Sequence, residues 1–172
     1  TDRDAVAGAR HHAVFPCDLP GFHEFQRRLD GLANGTVTIV LTGERIGPGL
    51  EDAAWLARAR QAQVRTALQI RLVADGDCFV RQFGPSATAR IRDKLEAWGA
   101  EMVLGTSVAS IGADAVTLAD GRRLRSAVTA LVGALTGPDL QTAELTDDRG
   151  FFPVNPQLQS IYEPTVFAAG DA

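Results

Sequence analysis

The sequence predicts an α/β, three-layer domain: a parallel sheet with crossover helices, followed by an antiparallel β-meander. Three observations carry this. Apolar, β-rich runs alternate with helical patterns between Val37 and Leu104, the order that builds parallel sheets through right-handed crossovers. Short strands then crowd around Asp120-Gly121, a strong hairpin turn. An apolar run from Val128 to Leu135 returns as one more buried strand.

The elements follow in order. Residues 1 to about 17 read as an irregular lead-in closing with Val14-Phe15-Pro16. Asp18 reads as an N-cap with Pro20 in the first turn, and Phe22, Phe25, Leu29 and Leu32 share one face. Gly31 and Asn34-Gly35 are expected to end that helix. Val37 to Leu41 is the first buried strand, followed by the glycine-bearing turn Thr42 to Gly49. A helix is expected from about Leu50 to Gln63, and Leu68 to Ala74 is the second strand, with Asp75-Gly76-Asp77 its exit loop. Pro85-Ser86 opens another helix carrying Ile91, Leu95 and Trp98 inward, Gly99 closes it, and Ala100 to Leu104 is the third strand. The meander comprises Val108 to Ile111, Ala115 to Ala119 and Arg122 to Ser126.

Composition narrows the function. The 172 residues suffice for one sizeable core. A net charge of −4 gives no electrostatic case for nucleic acid or an anionic membrane. No run approaches the roughly 18 apolar residues that span a bilayer. The two cysteines, Cys17 and Cys78, lie far apart and form no C-x-x-C pair, so they read as free thiols of a cytoplasmic protein without a dithiol or zinc centre. The carboxylates beside Cys78 argue against a reactive thiolate. His11, His12 and His23 have no companion ligands, and Arg122, Arg123 and Arg125 read as a solvated face.

Candidate site residues gather at strand ends. The loop after the first strand is where a Rossmann-like unit holds a dinucleotide pyrophosphate, through G-x-G-x-x-G. Here Thr42, Glu44 and Gly47 take the three glycine positions, and the charge of Glu44 opposes a pyrophosphate. Gly43, Gly47 and Gly49 are alternatively the glycines of a longer turn. Asp75 (or Ala74) stands where an acid would accept bonds from an adenosine ribose and favour NADH over NADPH. It lies about thirty residues beyond the loop, against a usual spacing of about 20. Gly133 to Pro138 brings a strand into Thr136-Gly137, a tight turn at the sheet's carboxyl edge. Finally, Val166-Phe167-Ala168-Ala169-Gly170-Asp171 reads as a short strand running into Gly-Asp. Gly permits close backbone approach, and Asp accepts hydrogen bonds from ribityl or ribose hydroxyls.

Together these pieces resemble the FAD-dependent pyridine nucleotide-disulfide oxidoreductases, over roughly Thr36 to Ala172. The resemblance runs through Ile39-Val40-Leu41, Phe83-Gly84-Pro85, Trp98-Gly99-Ala100, Val116 to Arg122, Leu135 to Pro138, Gly150 to Asn155 and the closing Gly170-Asp171. It is similar to the type II NADH dehydrogenase and sulfide:quinone reductase branches. The latter often place a cysteine soon after this domain's first strand, and Thr42 to Leu50 contains none.

The resemblance implies residues 1–35 as a lead-in and helix linking from an FAD domain, 36–145 as the NAD(P)-binding domain, and 146–172 as a return segment into the FAD domain. It implies that Gly43, Gly47, Asp75, Thr136, Gly137, Gly170 and Asp171 face cofactor, with the aspartate of Gly-Asp meeting FAD. NAD(P)H would pass electrons through flavin to a quinone or another acceptor. The chain is expected to be one part of a larger flavoprotein, inactive by itself, whose remainder is its partner and supplies any peripheral membrane contact. The rival expectation is a degenerate domain that has lost nicotinamide binding and serves as scaffold or partner surface.

Overall fold

The computed structural model describes residues 3–43, 59, 67–75, 78–133, 137 and 143–170. These form two compact units, Thr1–Ala134 and Leu135–Ala172.

In the first unit, α1 (Ala9–His12) leads directly into β1 (Ala13–Val14), and α2 (Leu19–Asp30) and β2 (Asn34–Leu41) follow. Next come β3 (Ala67–Ala74), α3 (Cys78–Ala97) and β4 (Ala100–Leu104). The chain then makes β5 (Val108–Ile111), β6 (Ala115–Leu118) and β7 (Arg123–Arg125) before returning through β8 (Val128–Val132). One sheet is five-stranded in the order β1-β8-β2-β3-β4, with every pair parallel. The other is the antiparallel meander β5-β6-β7.

Successive side chains of a strand point to opposite faces, and both faces of the five-stranded sheet are covered. Ile39, Leu41, Leu72, Ala74 and Val132 pack with Phe25 and Leu29 of α2 and with Phe79 and Leu95 of α3. Their neighbours Val40, Val73, Val103 and Leu131 face the other way, onto Ile111, Val116 and Leu118 of the meander and onto Val6 and Ala9. This double burial is why the strands read as nearly continuous apolar runs, and it makes the three layers.

The α2 N-terminus forms as its sequence dictates: Asp18 accepts a hydrogen bond from the Gly21 N–H at 2.7 Å, a cap worth about 1 kcal/mol. Asn34 and Gly35, expected to end this helix, instead open β2. The helix finishes at Asp30 with Gly31 in right-handed geometry. Gly35, at φ 122°, lets β2 run close beside Ala127. The lead-in is also more ordered than expected. Only two residues long, β1 still pairs with β8 as an edge strand, which no periodicity could announce.

A helix opens at Pro85 as expected, but α3 also includes an earlier helical segment from Cys78, separated from it by Gly84, whose φ of 73° and ψ of 167° are not helical. Cys78 is therefore buried rather than sitting in a polar loop. The expected helix over 50–63 lies outside the described residues, except Ala59, which is helical. Among the described residues no helix is long and apolar enough to cross a membrane.

Among its described residues the second unit contains a 3-10 turn, Ala143–Leu145, and otherwise turns, bends and isolated bridges. The short strand expected to run from Val166 into Gly170-Asp171 is not formed among the described residues. Val154 bridges Ser160 and Gln159 bridges Phe167 as isolated pairs. Leu158, at φ 64°, interrupts the extended run that a longer ladder would need.

Candidate functional site

From β2 the chain moves outward through β3 and β4, while β8 joins the other side of β2. The carboxyl ends of these strands therefore flank a topological switch point, where open α/β sheets place their ligands. A cavity of about 220 Å³ lies beside it, over the carboxyl ends of β2 and β3. Its floor is residues 40–43 and 73–75, so it brings Gly43 and Asp75 together, two residues expected to face cofactor. Residues 106–108 and the pair Ala5 and Val6 add the wall.

The floor is fixed by backbone bonds. Thr42 N–H donates to the Val132 carbonyl at 2.8 Å, and Gly105 N–H donates to the Ala74 carbonyl at 3.2 Å. Gly43 holds φ 87°, a left-handed geometry that a β-carbon would strain. Asp75 is exposed, and its carboxylate accepts one long bond from Arg81 at 3.4 Å. With both side chains more than half exposed, that pair contributes little and leaves the carboxylate available. The Thr42 hydroxyl oxygen is buried without a hydrogen-bond partner, a deficit of about 1–3 kcal/mol.

No lysine or arginine lines the described cavity, whose polar groups are hydroxyls, backbone and one carboxylate. Such a lining suits the base and ribose of a nucleotide better than its phosphates. The volume falls below the roughly 300–1,000 Å³ of pockets that take whole drug-sized ligands. The described floor therefore fits one nucleoside end of a dinucleotide. Gly47 and Glu44, of the expected pyrophosphate loop, lie outside the described residues.

Burial, and then the Asp75 charge, push the Cys78 thiol up from its ordinary range, opposite to what an attacking thiolate needs. Cys17 and Cys78 are both free. Arg122 pairs with Asp120 and Arg123 with Asp114 on the exposed meander edge. No group of His, Cys, Asp or Glu able to hold a metal occurs among the described residues.

The second unit holds the remaining expected residues. Gly137 N–H donates to the Arg149 carbonyl at 2.7 Å, and a β-carbon at 137 would collide with the backbone of Gly150. Packing alone thus demands a glycine there. Gly170 has φ 81° and nothing within 4 Å of where a β-carbon would stand, so its backbone is open to approach. Thr136 and Asp171 lie outside the described residues. Sequence reasoning missed the wall residues, because Ala5, Val6 and residues 106–108 carry no motif and reach the site only through the sheet order.

Comparisons bear on this geometry. A family model described as pyridine nucleotide-disulphide oxidoreductase matches residues 47–172. The fold is similar to NDH2 from Plasmodium falciparum, solved in complex with NADH (TM-score 0.71, 13% identity, 99% of this chain and 41% of that one). It is also similar to the sulfide:quinone oxidoreductase from the hyperthermophilic bacterium Aquifex aeolicus (TM-score 0.68, 16% identity, 94% and 42%). An NAD-dependent persulfide reductase from A. fulgidus gives a TM-score of 0.69 at 14% identity, over 98% and 31%. The chain therefore spans less than half of each of these structures. Comparison with curated proteins gives no match.

Proposed function

This chain belongs to the pyridine nucleotide-disulphide oxidoreductase family, and we propose that its first unit is the NAD(P)H-facing domain of an FAD-dependent oxidoreductase. The observation that carries the reading is the crevice at the carboxyl ends of β2 and β3, where Gly43 and Asp75 meet. In this reading residues 36–145 bind the dinucleotide and 146–172 return toward the flavin-binding part. NAD(P)H, when bound, would supply a hydride to FAD, and the reduced flavin would pass its two electrons to a quinone or another acceptor. The chain's own residues bind and orient. The Asp75 carboxylate accepts from ribose hydroxyls, and the left-handed backbone at Gly43, with Gly47, gives the dinucleotide room. Thr136 and Gly137 turn beside the dinucleotide crevice, and Gly170 and Asp171 form the chain's contribution to the flavin side. By itself the chain does not turn over, and its free cysteines suit a reducing, cytoplasmic setting.

Calorimetric titration of the chain with NADH tests this. Heat with a dissociation constant below millimolar, weakened at least tenfold by Asp75→Ala, is the expected result. No heat up to millimolar NADH sinks the nicotinamide reading.

A second reading rests on Thr42 and Glu44, which stand where two glycines are needed: a scaffold domain that has lost its nicotinamide site. It expects silence from the wild type and heat from the double variant Thr42→Gly, Glu44→Gly.

A further inference from the structure

The crevice wall includes two residues that precede the family match at 47–172 altogether: Ala5 and Val6. Their segment is held in place. Ala7 bridges Ser110 in parallel, and the Ile111 N–H donates to the Ala7 carbonyl at 2.8 Å. Gly8, at φ 76°, sits so close to the Ile111 carbonyl that a β-carbon would strike it. Val6 is buried in the core between sheet and meander, and Arg10 pairs with Asp4. Arg3 reaches Asp18 at 3.4 Å and lies over the Phe15 ring at 5.2 Å.

Residues 5–6 therefore run beside residues 106–108 as one preformed wall over the strand ends. Ala5 is exposed and Val6 buried, so the side chain at position 5 faces the accessible part of this wall while position 6 anchors it. We propose that Ala5 is a specificity-determining residue of the crevice, its short side chain keeping open a slot for the planar base of a nucleoside. The apolar surface of Ala5, Val6 and Val108 covers the base, and the Asp75 carboxylate takes the ribose hydroxyls. The hydroxyls, backbone groups and one carboxylate of the described lining suit the hydroxyls of a nucleoside. This inference rests on the nucleotide reading above and adds what sets the size of the slot.

The test is calorimetry of the chain with NADH, adenosine and inorganic pyrophosphate, on wild type, Ala5→Trp, Ala5→Ser and Ser107→Trp. Ala5 and Ser107 are exposed, so bulk at either position fills the crevice without entering the core, and a melting curve checks each variant. Wild type and Ala5→Ser are expected to bind NADH and adenosine but not pyrophosphate. Both tryptophan variants should lose at least tenfold in affinity with an unchanged melting temperature. Should wild type bind NADH and both tryptophan variants match it within twofold, this inference falls and the dinucleotide reading stands. Adenosine binding that tryptophan abolishes, without NADH binding, reverses that outcome. Pyrophosphate binding as tightly as NADH overturns the nucleoside assignment, and wild type silent to all three ligands overturns both.

Discussion

The first unit buries Phe25, Leu72 and Leu131 between its layers, whereas the second exposes Ile161 at 60%, Tyr162 at 54% and Phe167 at 65%. Among the described side chains of the second unit, only Ser160 is buried. The second unit is held by backbone bonds, such as Ser160 N–H to the Val166 carbonyl and Ala168 N–H to the Leu158 carbonyl, and by side-chain oxygens on backbone N–H. Asp147 accepts from Arg149 and Phe151, Asn155 from Gln157 and Gln159, and Ser160 from Tyr162 and Glu163. Such Asx- and Ser-turns specify conformation locally without the burial that drives cooperative folding. One unit is thus defined by what it removes from water, and the other by turn chemistry.

The sharpest way to break this comparison is to empty the first core. Phe25→Ala deletes a fully buried ring and is expected to cost about 3–5 kcal/mol, read as a lowered urea midpoint. Amide exchange over residues 155–160 should be unchanged. Equal loss of protection there would show that the two units unfold together.

Asn155→Ala attacks the other principle. It leaves the Gln157 and Gln159 N–H groups without their acceptor, and the Asn155 amide no longer reaches Gln159. A local cost of about 1–3 kcal/mol is expected, seen as faster exchange at 157 and 159, with the urea midpoint of the first unit untouched.

The same division explains what could be read beforehand. β2, β3, β4 and the meander were legible because long apolar runs and Asp120-Gly121 are local signals; Gly121 indeed holds φ 85°. The Asp18 cap was equally local. What escaped was whatever depends on a distant neighbour. β1 exists because β8 lies beside it, and Gly35 belongs in a strand because Ala127 comes close. Gly84-Pro85 was legible as a boundary, whereas the helical segment from Cys78 before it carries no local signal. The place of Gly43 and Asp75 at strand ends was legible because they directly follow apolar runs. Ala5 and Ser107 lie about a hundred residues apart in sequence, and only the finished fold brings them to one crevice. In the second unit the expected terminal strand does not form, since apolar composition does not provide a partner strand.

A third test reverses the sign. The Thr38 hydroxyl is fully buried with no partner, although Thr129, beside it in register, already donates to Ser126. Thr38→Val removes an unsatisfied group and should stabilise the first unit by about 1 kcal/mol, raising its urea midpoint. A loss of stability would mean that the hydroxyl is satisfied in solution, and that this core is less dry than its apolar packing implies.

The smallest expected effect separates the units by pH. Cys78 belongs to the first unit, and its thiol is pushed up by burial and then by Asp75. The unfolded chain releases this proton first, near the ordinary thiol value of about 8.5, so above that pH the native state holds more protons than the unfolded state. Stability then falls as pH rises, fully present below the unfolded value and lost through the folded one. The urea midpoint of the first unit should therefore decline between about pH 8 and 10, and Cys78→Ala should flatten that decline while lowering the midpoint overall by truncating a buried side chain. Both cysteines precede residue 135, so thiol ionisation gives the second unit no matching slope. A parallel alkaline loss of structure over residues 155–167 would trace the effect to something the units share and remove the distinction between them.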